Sequence, residues 1–401
     1  IYERHEPEAR ILQTKNDSVE MSREVIIPKA KFFKTHIEGA NRNTGLDMAR
    51  ALSVLCIFVA HTNNYAGAFT GIYPYIRCIP VIMQELFFAL SGFLVGNQIM
   101  KYIRPENPLT GLIRFYKNRW TRTIPFYFIF LLVNYIVFYT VYQYTKFRMF
   151  ENTSFSLFDY FSFKQNLYSP HPFFFPEIWS IPIEEWSFLL LPIPVFIFVI
   201  SLRKTLSTKN LLSLLLLIIV IITAFRIHYV MQTGPELDWE LRKIVVYRLD
   251  ALLYGFGIRI LIDRYTGFFT KNKVWLLLMG LILSFGFYFS KPFLSLTIYK
   301  ALIFSFIPAG MSMTLPYFYL SNFNKLSQGL KSILTHISLT SYTILLSHLY
   351  LIQFSMLVMY TPQNVLECIL FTSVYSAVVI GFSTLFFNYV EQPILMKRKK
   401  L

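Results

Sequence analysis

Apolar residues in this chain gather into runs of about 20, the helical length that crosses a hydrocarbon core of about 30 Å. Ten such segments are read, at approximately 46–66, 78–100, 123–143, 186–202, 210–230, 245–262, 273–290, 297–320, 335–360 and 364–390. The predicted fold class is all-α: a polytopic integral membrane bundle of about ten transmembrane helices. Pro192, Pro194, Pro308 and Pro316 fall inside these runs, which a membrane helix tolerates when neighbouring groups satisfy the freed carbonyls. Residues 1–44 are polar and mixed in charge, carry no hydrophobic core of a signal peptide, and read as a partly disordered cytoplasmic tail. Residues 45–396 read as the membrane domain and 397–401 as a basic cytoplasmic tail.

Composition agrees with the pattern. The 401 residues are 55% hydrophobic and 15% charged, against about 45–50% and about 25% in ordinary soluble domains, so a soluble globular protein is excluded. Cys56, Cys78 and Cys368 have neither a disulfide framework nor metal-ligand spacing, so no metal and no bound cofactor are expected. The net charge is +16, from 38 Lys and Arg against 22 Asp and Glu. Of those 38 basic residues, 27 lie in the tails and in the alternate loops that are cytoplasmic if the N-terminus is inside, as the positive-inside rule requires. Both termini are therefore predicted to be cytoplasmic. The basic residues are dispersed over loops, so nucleic acid is not an expected partner.

A charged side chain at membrane depth costs about 2.5–3.5 kcal/mol and is a functional candidate by default. The first predicted helix holds Asp47, Arg50 and His61. At 100° per residue, Arg50 and His61 lie within about 20° of one another and Asp47 within about 40° of His61, while His61 stands about 16 Å further along the axis than Arg50. The bland alternative is an interfacial Asp47–Arg50 pair with His61 bonded to a helix carbonyl. In the second helix, Glu85 is a costly lone carboxylate, and Ser91 with Gly92 make either a packing notch or a close approach for a ligand. Arg119 and Arg122, expected at a helical start on the cytoplasmic surface, form a fork suited to phosphates or to anionic lipid. Trp179, Ser180, Glu184 and Glu185 are expected at the outer mouth of a helix, where the acids either cap it or orient a polar acceptor. Arg248, Asp250 and His348 follow, with His348 equally a core histidine or a site residue.

These residues resemble the membrane-bound acyltransferase family 3. The likeness is carried in order by Leu46-Asp47-x-x-Arg50-Ala51-Leu52 ending in Ala60-His61, Glu85-Leu86-Phe87-Phe88-x-Leu90-Ser91-Gly92-Phe93-Leu94, Arg119-x-x-Arg122-x-Ile124-Pro125 and Trp179-Ser180-x-x-x-Glu184. It continues through Arg248-x-Asp250-Ala251-Leu252, Ser341-Tyr342-x-x-x-Leu346-x-His348 and Glu391-x-Pro393, and covers residues 44–396. Met83 and Gln84, and Ser187 with Phe188, depart from the residues usual at their positions.

The resemblance implies transfer of an acyl group, acetyl in the first instance, from cytosolic acetyl-coenzyme A as co-substrate to a hydroxyl of a sugar or lipid-linked glycan. It also implies a bacterial cytoplasmic membrane. On that reading His61 is the general base, because imidazole titrates near neutral pH, with Asp47 or Glu85 holding its tautomer or balancing Arg50. Arg50, Arg119, Arg122 and Ser91 would bind the donor. Trp179, Ser180, Glu184, Arg248 and His348 would face the acceptor. A covalent route through His61 or Ser91 stays open. The rival of another class is a transporter or flippase of a lipid-linked glycan, with membrane lipid a partner in either case.

Overall fold

The computed structural model describes residues 42–70, 78–142, 155–204 and 206–399. Residues 1–41 of the predicted tail, and the last two residues of the basic end, lie outside the described residues. The described residues are helical, without a strand. Nine helical stretches among them are long and apolar enough to cross a membrane: 44–67, 78–102, 108–140, 176–202, 208–233, 266–289, 296–320, 328–359 and 365–396.

Two departures from the hydropathy reading matter for function. The third span starts at Pro108 rather than 123, with proline at the first helical turn, where its missing N–H costs nothing. Arg114, Lys117, Arg119 and Arg122 dilute the apolar signal of that first half. Arg119 and Arg122 consequently lie about 16 and 21 Å along helix α4 (Pro108–Val137), not at its start. The sixth predicted segment is no continuous span. It consists of a 3-10 turn at Val245–Tyr247, an irregular stretch over residues 248–252, and a 12-residue helix α9 (Leu253–Arg264), about 18 Å long. Arg248, Asp250, Ala251 and Leu252 are fully buried, so this irregular backbone is enclosed by protein, the condition under which it persists among membrane helices.

Helix α1 (Thr44–His61) occupies the centre, packed against α3 (Cys78–Tyr102), α11 (Leu296–Leu320) and α12 (Gln328–Ser347). Its start is set by Asn43, whose side chain accepts from the Leu46 N–H and donates to the Tyr319 carbonyl at 2.8 Å. Small residues at Gly45, Ala49, Ala51 and Ser53 are buried at its contacts. They replace the missing hydrophobic drive with close packing. Backbone contact is closest between α3 and α9: a Cβ at Gly92 would stand 1.8 Å from the Leu252 carbonyl oxygen, and one at Gly255 would stand 1.7 Å from that of Ala89.

The irregular stretch is anchored by two ion pairs of opposite polarity. Arg248 donates to both oxygens of Glu85 on α3 at 2.7 and 2.6 Å. Asp250, two residues on, accepts from Arg226 of helix α8 (Thr208–Thr233) at 2.9 Å. Arg226 also donates to the Tyr247 carbonyl and the Ser305 hydroxyl, each at 2.8 Å. All four charged side chains are fully buried. Removing one partner of such a pair leaves a charge without compensation, so Asp250→Ala is expected to cost about 3–5 kcal/mol. The double change Arg226→Met with Asp250→Leu should cost less than that; detergent-phase unfolding of both variants measures the difference.

Candidate active site

Of the stripe predicted on α1, the azimuth is reproduced and the partners are not. His61 ends α1 and remains partly open. Its ring meets that of His348 edge-on, with centroids 5.0 Å apart. His348 is 1% exposed, and its Nδ1 lies 3.0 and 3.1 Å from the carbonyl oxygens of Ile344 and Leu345. A carbonyl can only accept, so Nδ1 carries the proton and Nε2 keeps a lone pair. That Nε2 is buried and has no partner among the described residues. His348 therefore stands behind His61 as an acceptor, rather than against open space where a substrate would lie.

Asp47 and Glu85, expected beside His61, are engaged elsewhere. Asp47 accepts from Arg42, with the Arg42 Nε at 2.9 Å, and from the Ser338 hydroxyl at 2.7 Å. It lies 14 residues before His61, about 21 Å along the helix. A helical wheel fixes direction and ignores height. Asp47 does stay within electrostatic reach of Arg50, one of the roles expected of it. Glu85 is consumed by Arg248, and Arg248, expected against the acceptor, lies fully buried beneath the rings of Phe88 and Phe304. Its Nη2 is taken by Glu85, while its Nε and Nη1 are buried without a hydrogen-bond partner among the described residues.

The Arg119–Arg122 fork is split. Arg119 donates to Glu184 at 3.0 Å, lies 3.7 Å from Glu185, and stacks 3.6 Å above Phe188. Glu184 also accepts from Ser91 at 3.3 Å, and Glu185 from Thr123 at 3.2 Å. Glu184 is thus not at the outer mouth. It sits within its helix stretch and level with Ser91 in the middle of α3. Arg122 is exposed and makes no ion pair or hydrogen bond with any described residue, and neither does Arg50. Arg122 lies within electrostatic reach of Arg50, Arg119 and Glu391, residues of α1, α4 and the stretch that follows helix α14 (Val365–Phe386). Glu391, absent from the residues predicted for the site, closes a π-helical segment at Phe387–Glu391 and accepts from Thr343 at 3.1 Å.

A second set of charges approaches the His61 end. Lys243, Arg242 and Asp238 lie within electrostatic reach of His61. Asp238 bridges Arg242 at 2.5 Å and Lys243 at 2.9 Å. Arg242 caps the ring of Trp179 at 4.6 Å and Lys243 that of Trp239 at 3.6 Å, so Trp179 presents a covered face while Ser180 is half-buried beside it. Burial, with the Arg242 charge beside it, pushes the Lys243 ammonium down to about 8. Burial works upward on the Asp238 carboxyl, but Arg242 and Lys243 outweigh it and hold the group below its usual range. Nothing in the sequence pairs this loop with His61; the Asp-Trp-Glu-Leu-Arg-Lys run reads there as ordinary loop polarity. An apolar groove of about 360 Å³ between Met356, Met359, Phe371 and Val374 lies apart from all of these residues. No group of three or more His, Cys, Asp or Glu among the described residues is placed to hold a metal ion.

The arrangement comprises a buried histidine beside a partly exposed one, and two arginines that form no ion pair, of which Arg50 lies about 16 Å further back along α1. No curated protein and no solved structure matches the chain. The family described as an acyltransferase domain matches residues 43–390, from the cap of α1 to the residue before Glu391. The chain therefore belongs to acyltransferase family 3, and is an integral membrane acyltransferase.

Proposed function

We propose that the protein moves an acyl group, acetyl in the simplest case, from cytosolic acyl-coenzyme A to a hydroxyl of a sugar in a cell-surface polysaccharide or lipid-linked glycan, in a bacterial inner membrane. The observation that carries this reading is the unpaired state of Arg50 and Arg122. The fully buried arginines Arg226 and Arg248, and Arg119 beside the site, each have a carboxylate. Two guanidinium groups held near each other without one are a dock for an anionic ligand, and the phosphates of a coenzyme A suit their bidentate geometry. Arg119, by contrast, serves to hold Glu184 and Glu185.

The donor's acyl end reaches along α1 toward His61. The His348 ring packs against that of His61 with its Nε2 bare, so a His61 ring N–H turned to that nitrogen in the reaction would leave the other nitrogen as the base. That nitrogen takes the proton of the acceptor hydroxyl as the oxygen attacks the thioester carbonyl. The tetrahedral intermediate collapses with loss of the thiolate, and the imidazolium returns the proton to sulfur. The products are the ester and free coenzyme A, with no net proton change. The Trp179, Ser180, Arg242 and Lys243 end is the side from which the acceptor enters.

Three outcomes follow for purified protein in proteoliposomes. His61→Ala should lower acyl transfer about 100-fold or more; a wild-type rate removes His61 as base. Loss of either Arg50 or Arg122 to Ala should raise KM for acyl-coenzyme A about 10-fold or more, the value of one charge-assisted contact, whereas Arg119→Ala should chiefly lower stability; equal donor affinity in all three variants defeats the dock. The acceptor should gain the mass of one acyl unit, where a flippase would leave its mass unchanged.

A further inference from the structure

Helix α12 does not continue as an α-helix beyond Ser347. Residues His348–Phe354 wind as a π segment before α13 (Ser355–Met359) resumes the regular turn. Both ends of this segment's first five-residue step touch the same residue of α1. The His348 ring meets the His61 ring. The Gln353 amide donates from Nε2 to the His61 carbonyl oxygen at 3.0 Å, and its Oε1 accepts from Asn64 at 2.7 Å. Gln353 is fully buried.

In an α-helix, positions five apart point about 140° away from each other. A π winding, whose backbone bonds run from i to i+5, brings them to one side. The double grip on His61 thus needs the π segment. The segment's own irregularity is also provided for: the His348 carbonyl accepts from the hydroxyl of Tyr375 on α14 at 3.1 Å. The carbonyl that Gln353 takes is one of the last of α1, which a helix end leaves without an internal partner. One contact therefore fixes the backbone of His61, and the other fixes its ring.

We infer that Gln353 is a positioning residue of the transfer reaction: through the His61 carbonyl and Asn64 it sets the height and rotation of the base against His348. This rests on the reading of His61 as the base. Packing alone does not ask for a bonded amide here, since an apolar side chain of similar size would fill the same volume.

The test compares wild type, Gln353→Leu and Gln353→Glu in proteoliposomes, with acetyl-coenzyme A as donor and coenzyme A release plus acceptor mass as readouts. A misplacement of the base by about 1 Å costs about 100-fold, so kcat of Gln353→Leu should fall by about that factor. Its KM for the donor should stay within about twofold, because the arginines lie far from Gln353. Gln353→Glu is isosteric and still accepts from Asn64, but it can donate to the His61 carbonyl only when its carboxyl is protonated. The ratio of its rate to the wild-type rate should therefore rise as pH is lowered from about 8 to about 5.5. The other ionisable groups around this site, His61, His348, Tyr375, Glu177, Asp238, Arg242 and Lys243, are the same in both proteins, and the ratio removes them. A flat ratio, or wild-type kcat in both variants, overturns the inference. Should Gln353→Leu fail to fold, as reported by loss of thermal stabilisation by coenzyme A, the ratio for Gln353→Glu decides alone. If His61→Ala is as active as wild type, the reading of the base has failed; if His61→Ala is inactive and the Gln353 variants are normal, only this inference has.

Discussion

A charge carried among membrane helices has to meet its opposite inside the protein, because lipid supplies none and the cost of leaving it alone is several kcal/mol. The bundle is organised around that constraint. Glu85 and Arg248 tie α3 to the irregular stretch that leads into α9, and Arg226 and Asp250 tie the same stretch to α8. Without these pairs, the buried turns at residues 248–252 would have no fixed direction, and the α3–α9 contact through Gly92 and Gly255 would lose its register. That contact holds Ser91, hence Glu184, hence Arg119. Ion pairs and hydrogen bonds thus run from Arg248 and Glu85 through α3 to Ser91, Glu184 and Arg119, and Arg50 and Arg122 stand outside them.

This places the expected functional residues in two groups by a single physical criterion. Arg119, Glu184, Glu85 and Arg248 carry charge that is neutralised within the protein, so their contribution is to shape. Arg50 and Arg122 have acids within electrostatic reach but form no ion pair, and His61 is partly exposed. The intramembrane charges were legible in the sequence because apolar runs make them conspicuous. Their partners were not legible, since Arg119 meets an acid 65 residues away and Glu85 meets Arg248 across 163. The depth of Arg119 and Arg122 was misread for a related reason. Four basic residues in one stretch lower its hydropathy, and only the structure shows that the helix has already begun at Pro108.

The other unreadable feature is helical winding. An α-helical wheel assumes 100° per residue throughout, and π segments break that assumption where it counts. Asp238 and Arg242, His348 and Gln353, and Glu391 all lie in π segments. No composition signal marks such a segment, and single π turns concentrate at functional sites because they re-aim side chains without ending the helix. The first-helix stripe could be predicted because α1 winds regularly from Thr44 to His61. The residues that complete it could not, because they come from helices that do not.

The regularity of α1 has its own consequence for the reaction. Regular winding puts Arg50 about 16 Å along the axis from His61, so on the proposed reading phosphate binding and bond making occur at different places. The proposed donor meets this condition, with its anionic groups at one end and its reactive carbonyl at the other, joined by an extended arm. A small acyl phosphate could satisfy Arg50 and Arg122 and never bring its carbonyl to the imidazole. Binding energy gained at the arginines is then available to hold the distant acyl end still, which is the way remote contacts raise a rate rather than only an affinity. The His348 ring packed on His61 and the bonded backbone of His61 complete the requirement from the other side, since an ordered arm is useful only if the proposed base it reaches is equally fixed.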